Sequence, residues 1–189
     1  MPSSYPGGVK IIAGKLRGRK LRVLPKEKLR PSSNRTRETL FNWLNPHIRG
    51  AQCLDLFSGS GAIGFESVSR GASWVTMIDD DLEVVEDLLA KSVELSIDNC
   101  EIVKKEAISW LATEQKKKYD IVYLDPPFRS GLLERALFEL ARGWLSDTGL
   151  VYVEVETEKT EIMQNWKILK TATTKKTRYS LLSKAKVLE

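Results

Sequence analysis

The chain moves between two hydrophobic rhythms. From residue 51 onward, short runs in which most positions are apolar ("AQCLDLF", "SWVTMI", "YDIVYLD") alternate with stretches whose apolar residues recur every three or four positions. A short, nearly continuous apolar run suits a strand covered on both faces, and the wider spacing suits a helix with one buried side. The pattern predicts strand "AQCLDLF", a helix from about Gly61 to Arg70, strand "SWVTMI", a helix from about Leu82 to Ser96, strand "CEIVKK", helix "AISWLATE", strand "YDIVYLD" and helix "LLERALFELARGWL". Such alternation calls for a mostly parallel sheet with helices on both faces. The tail breaks the rhythm: "LVYVEVE", "WKILKTATT" and "RYSLLSKAKV" read as strands, with no helical stretch between the last two. The expected fold is therefore α/β and Rossmann-like, a seven-stranded sheet with an antiparallel C-terminal edge.

Ahead of this series the pattern differs. Residues 1–8, rich in Pro, Ser and Gly, predict a disordered tail. "VKIIAGKLRGRKLRVL" reads as two short strands around a glycine-containing turn, a small N-terminal β-hairpin extension spanning residues 9–33. "SSNRTRETLFNWLN" then offers Ser/Asn caps and Leu40, Phe41 and Leu44 at helical spacing, with Pro46 closing the helix; the main domain is placed at 34–189.

Composition narrows the classes of function. At 189 residues and 42% hydrophobic, the chain supports one compact domain with a small appendage. No apolar run approaches the ~20 residues that span a bilayer. "MPSSYPGGVK" lacks the apolar centre of a secretory signal, and a cytoplasmic protein is expected. Cys53 and Cys100, outside any C-x-x-C pair, argue against a structural disulfide or a zinc site, and the single histidine, His47, leaves little for triad chemistry.

Charge changes the picture more. Lys10 to Arg37 holds eleven basic residues and one acid, Glu27, for a net +10, while the rest of the chain sums to −5. The bases alternate with Ile11, Ile12, Leu16, Leu21, Val23 and Leu24, as on an ordered surface. A basic arm on a mildly acidic body fits binding to a polyanion, with Lys15, Arg17, Arg19, Lys20, Arg22, Arg35 and Arg37 as candidate RNA contacts. The alternative is a solvated charge run, and Arg35 and Arg37, at the start of the helix, could instead close over a cofactor carboxylate.

Two motifs carry the chemistry. "LDLFSGSGAIGFE" sets Gly59, Gly61 and Gly64 between a strand and a helix start, where glycines let the backbone turn and approach a ligand. Twenty residues after Gly59 comes Asp79, followed by Asp80, at the end of the next strand and placed to accept from ribose hydroxyls. Both NAD and S-adenosylmethionine fit that pattern. Asp55, with Phe57 beside it, favours the latter, because a carboxylate suits an ammonium group and gains nothing from a pyrophosphate; little chain also remains for a dehydrogenase's substrate domain. Glu106 and Ala107, after the third strand, are candidates for contacts to adenine or for a helix start.

The second motif is "DPPF", Asp125 to Phe128, ending "YDIVYLD". Prolines stop the strand because they offer no N–H to the ladder. Asp125 and the Pro126 carbonyl are two fixed acceptors for the hydrogens of an exocyclic amine, and Phe128 offers a face on which an unstacked base can rest. That chemistry requires no metal.

Together these segments resemble class I S-adenosylmethionine-dependent amino methyltransferases. "IIAGKLRGRKL", "LRPSSNRTRETLFNWL" and "DPPFRSGLLERAL" are similar, more closely, to the bacterial 16S rRNA guanine-N2 methyltransferase family that modifies guanine 966 of the small subunit. The likeness runs from about Lys10 to Glu156. It implies S-adenosylmethionine as cofactor, Asp55, Gly59, Gly61 and Asp79 on cofactor positions, Asp125, Pro126 and Phe128 on amine recognition, and a class I methyltransferase fold. It also implies 16S rRNA in the small subunit as substrate, with ribosomal proteins near the target as further partners; a monomer is expected. The chain departs from the family pattern at "IDDD", Ser32, Asn34 and Glu106. Two rival functions stay open: a DNA adenine-N6 or cytosine-N4 methyltransferase, for which Asp-Pro-Pro-aromatic serves equally, and a non-catalytic ribosome-assembly or RNA-binding factor.

Overall fold

The computed structural model describes residues 8–25, 34–113, 117–157 and 166–185. The tail expected before Gly8, the caps Ser32 and Ser33 and the bases Lys26, Lys28 and Arg30 lie outside them. A two-stranded antiparallel pair, β1 (Val9–Lys10) and β2 (Lys20–Leu21), opens the chain. After α1 (Asn34–Leu44) come β3 (Gln52–Asp55), α2 (Ala62–Ser69), β4 (Trp74–Asp79), α3 (Leu82–Glu94), β5 (Cys100–Lys104), α4 (Ala107–Leu111), β6 (Tyr119–Leu124), α5 (Leu132–Leu140), β7 (Leu145–Glu156), β8 (Trp166–Thr173) and β9 (Thr177–Lys184).

The seven strands β3 to β9 form one sheet in the order β5-β4-β3-β6-β7-β9-β8. β3 to β7 pair in parallel, and β9 pairs antiparallel with both β7 and β8. The expected Rossmann-like sheet with an antiparallel C-terminal edge is the observed one. From β3 the chain steps outward to β4 and β5, then returns to place β6 on the other side of β3. The carboxyl ends of β3 and β6 therefore lie side by side with their connections leaving in opposite directions, which opens a crevice between them.

Alternation along the strands divides the core. Cys53, Met77, Tyr123 and Tyr152 face Phe41 and Leu44 of α1 and Phe65 and Leu88 of the next two helices. Leu54, Ile78, Val122 and Val151 face Ala107, Ile108 and Leu111 of α4 and Leu137 of α5. Two boundaries differ from the periodicity. α5 stops at Leu140, where the hydrophobic spacing continued to Leu145; Gly143, at φ 124, turns the backbone, and Leu145 already belongs to β7. β7 is correspondingly longer than "LVYVEVE" and slips register against β6 between Tyr119 and Ile121.

The N-terminal extension has only a two-residue pair of strands, because most of its backbone is satisfied by the body. Buried Glu66 of α2 accepts from the Ile12 and Ala13 amides at 2.7 and 3.0 Å and from Arg70 at 2.7 Å. Ser69, ending α2, accepts from the Lys15 amide through its carbonyl and from the Leu16 amide through its hydroxyl. No helix among the described residues is long and apolar enough to cross a membrane.

Candidate active site

The glycine loop is shaped by packing as much as by any ligand. Gly59 and Gly61 have φ of 48° and 75°, the left-handed region that glycine enters without a Cβ clash. A Cβ on Gly64 would stand 2.5 Å from the Met77 sulfur and 3.3 Å from an Asp55 oxygen, so this third glycine lets α2 lie against β4. Behind the loop, buried Lys91 of α3 donates to the Ser60 carbonyl at 2.9 Å and pairs with Asp87 at 2.5 Å. The sequence reading passed over Lys91; its one signal was the i, i+4 spacing from Asp87.

Two carboxylates frame the loop. Asp55 ends β3, is 4% exposed and accepts from the Gly64 amide at 3.1 Å. Burial pushes its pKa up to about 7; the Gly64 and Phe57 amides pull the other way, and the Asp79 charge adds to the rise. Asp79 ends β4 and is tied to the loop, one oxygen accepting from Gly59 at 2.9 Å and the other from Asp81 at 3.1 Å. Burial raises its pKa too, against the pull of those two amides. Asp80 is exposed beside it, and Phe57 is half-buried.

Glu106, one residue past the β5 bridge region, caps α4: its carboxylate accepts from the Ile108 amide at 3.0 Å and from the Ser109 amide and hydroxyl, each at 2.7 Å. Burial disfavours its charge, yet the Ser109 hydroxyl and the two amides prevail and hold its pKa below the ordinary value. Ala107 is buried as the first residue of that helix.

Asp125 follows the last residue of β6 and is half-buried. Since β3 and β6 are neighbours, Asp55 and Asp125 come from adjacent strand ends. Pro126 is buried, whereas Phe128 is 46% exposed, an unusual setting for a large apolar ring. A groove runs beside the motif, lined by Pro126, Pro127, Phe128 and Leu133 together with Glu154 and Val155 of β7. At its rim Arg129, at φ 61, pairs with Glu156 at 3.1 Å.

The basic arm lies apart from this crevice. Its turn docks on Ser69, the last residue of α2, and Arg19 donates to the carbonyl of Glu94, the last of α3, at 3.4 Å. Both helices run away from the carboxyl edge of the sheet, so the turn sits at the opposite edge. Lys15, Arg17, Arg19, Lys20, Arg22 and Arg35 are exposed, with Arg22 reaching Asp87 at 3.2 Å. Arg37 corrects the sequence reading. It is fully buried, donating to the Lys10 carbonyl at 2.9 Å and to Asn34 at 2.7 Å, with Glu66 at 3.7 Å. It fastens α1 to the arm and faces neither RNA nor a cofactor.

Residues 9–183 match the profile of the family described as conserved hypothetical protein 95. The chain belongs to that family. It is 45% identical over 168 residues to the ribosomal RNA small subunit methyltransferase D of Escherichia coli strain K12, covering 87% of this chain and 84% of that protein. The protein of the same name from Haemophilus influenzae is 43% identical, over 89% and 90% of the two chains. The solved structure of Escherichia coli yhhF superposes with a TM-score of 0.85 at 44% identity, covering 94% of this chain and 98% of the other. By fold and family the chain is a class I methyltransferase.

Proposed function

We propose that this methyltransferase transfers a methyl group from S-adenosylmethionine to the exocyclic N2 of guanine 966 in the 16S rRNA of the small ribosomal subunit. One observation carries the reading: the buried Asp55 and the Asp125-Pro126-Pro127-Phe128 motif issue from adjacent strand ends at the switch point. The family's resemblance in those motifs and the names of the relatives supply the substrate.

The donor set suits the cofactor. A carboxylate buried at Asp55 with its pKa pushed up to about 7 is ready to gain from a ligand ammonium, and Asp79, already oriented by two amides, has lone pairs for ribose hydroxyls. The neighbouring Gly59 and Gly61 keep the loop backbone accessible, with Phe57, Asp80, Glu106 and Ala107 completing the surroundings. S-adenosylmethionine supplies a methyl on a positively charged sulfur, a leaving group that departs as a neutral thioether. The N2 of guanine is a poor nucleophile, since its lone pair is delocalised into the ring. Asp125 and the Pro126 carbonyl accept the two amine hydrogens, turn the lone pair toward the methyl carbon and stabilise the positive charge that grows on nitrogen. The amine then releases a proton to solvent. Phe128, exposed and beside the groove, supports the flipped base.

Transfer of radiolabelled methyl to undermethylated small subunits, naked 16S rRNA and duplex DNA tests this. Label on guanine N2 in the subunit is expected; label confined to DNA, or none on any substrate, overturns the reading.

A further inference from the structure

We infer that Glu154 is the residue that selects guanine, accepting the base's N1–H while Asp125 takes the adjacent N2 amine. The inference rests on the guanine-N2 reading above and adds a specificity determinant to it.

The argument starts from register. The β6–β7 ladder ends with Leu124 opposite Val153, so the next step sets Asp125 opposite Glu154. Neighbouring strands are ~4.8 Å apart, and residues at matched positions point to the same face. Glu154 also shares a face with Tyr152, two residues earlier, whose hydroxyl donates to Glu154 Oε1 at 2.6 Å. That bond fixes the plane of the carboxylate. Glu154 is only 7% exposed, yet it lines the groove formed by Pro126, Pro127, Phe128 and Val155. A carboxylate held deep in an apolar groove, with another carboxylate across from it, is costly unless donors meet it. The raised pKa of Tyr152 reflects the same crowding: burial comes first, then the charges of Glu154 and Asp125.

Among base edges only one satisfies this pair. Guanine places two donors side by side, N1–H and the N2 amine. Adenine and cytosine each set their amine next to a ring-nitrogen acceptor, which a carboxylate repels. The Asp-Pro-Pro-aromatic motif alone serves all three amines, and Glu154 breaks the tie. A site that hydrogen-bonds a substrate N–H rejects analogues lacking it far more strongly than an apolar pocket rejects a change of size.

The test is single-turnover methyl transfer to small subunits reconstituted with 16S rRNA that carries guanine or 2-aminopurine at the target position. 2-Aminopurine keeps the N2 amine but presents an acceptor at N1. Wild type is expected to favour guanine by ~10²-fold or more. Glu154→Gln accepts from Tyr152 as before and can donate to the ring nitrogen, so the preference should shrink to within about threefold or invert. Equal ratios for wild type and Glu154→Gln overturn the inference, because a purely structural Glu154, or recognition through the guanine O6 alone, would leave the ratio untouched. A wild type that labels no guanine overturns the guanine reading itself, and this inference with it. Should the Gln variant fail to fold, Tyr152→Phe carries the test: loosening the carboxylate should lower the guanine preference by about 3–10-fold, and an unchanged ratio counts against the inference.

Discussion

At Asp125 and Asp55 the two halves of the reaction separate. Asp125 touches the amine and not the cofactor, so Asp125→Ala should leave adenosylhomocysteine affinity intact by calorimetry while single-turnover methyl transfer falls ~10²-fold or more. Near-normal turnover would remove Asp125 from the mechanism. Asp55 should reveal itself through pH. Its folded pKa of about 7 lies above the ordinary carboxylate value, so folding favours the protonated form. That stability is full below the unfolded value and is lost as pH rises through about 7. A ligand ammonium favours the charged form instead, so adenosylhomocysteine should bind more tightly as pH climbs from about 6 to 8, with protons released below 7. In Asp55→Asn the affinity should be flat across that range, and the melting temperature of the ligand-free protein should lose its fall relative to wild type. A wild-type affinity independent of pH would mean that no cation meets this carboxylate. Asp55, Asp79 and Asp125 were legible in the sequence because each belongs to a motif whose glycines and prolines state the local backbone. Glu154 and Arg37 were not. Both lie among ordinary alternating residues, and their roles arise from burial against partners such as Glu66, 29 positions from Arg37.

The elements themselves followed from hydrophobic period, since a doubly covered sheet writes continuous apolar strands. What the period could not show was how the arm is fastened. Leu140 to Leu145 kept helical spacing through Gly143, and the two-residue strands of the extension are too short to leave a pattern. The fastening is a set of backbone-to-side-chain bonds onto α2, and Gly14 is its narrowest point. At φ 83, its Cβ would stand 1.9 Å from the Ser69 carbonyl oxygen, a backbone atom that cannot swing aside. Gly14→Ala should therefore undock the turn, costing about 1–3 kcal/mol through strain and overpacking. Limited proteolysis should then cut between Lys10 and Lys20, while adenosylhomocysteine affinity holds, because the glycine loop lies at the other end of α2. An arm that stays protected in this variant would show that the Glu66 bonds suffice alone.

Across the whole molecule, charge and chemistry occupy opposite edges of one sheet. The crevice of Asp55 and Asp125 opens at the carboxyl ends of β3 and β6, while the turn bearing Arg17 and Arg19 rests on the last residues of α2 and α3. The partial negative charge of those helix ends suits a basic turn. It also means that the turn cannot touch the base being modified and must hold RNA flanking the target. With Arg37 buried and Arg22 held by Asp87, fewer bases are available to phosphate than the sequence count implied. We take about four contacts, which predicts a slope of log affinity against log salt near −3 to −4. Replacing Arg17, Arg19 and Lys20 together by Ala should flatten that slope by about one to three units and raise the subunit concentration needed for half-maximal transfer. The rate at saturating subunit and the affinity for adenosylhomocysteine should not change, since neither site lies near the turn. Salt titrations of wild type and the triple variant on small subunits decide the matter: parallel lines would reduce the arm to ordinary surface charge, whereas a lower saturated rate would mean that RNA held at the far edge helps to seat guanine against Phe128.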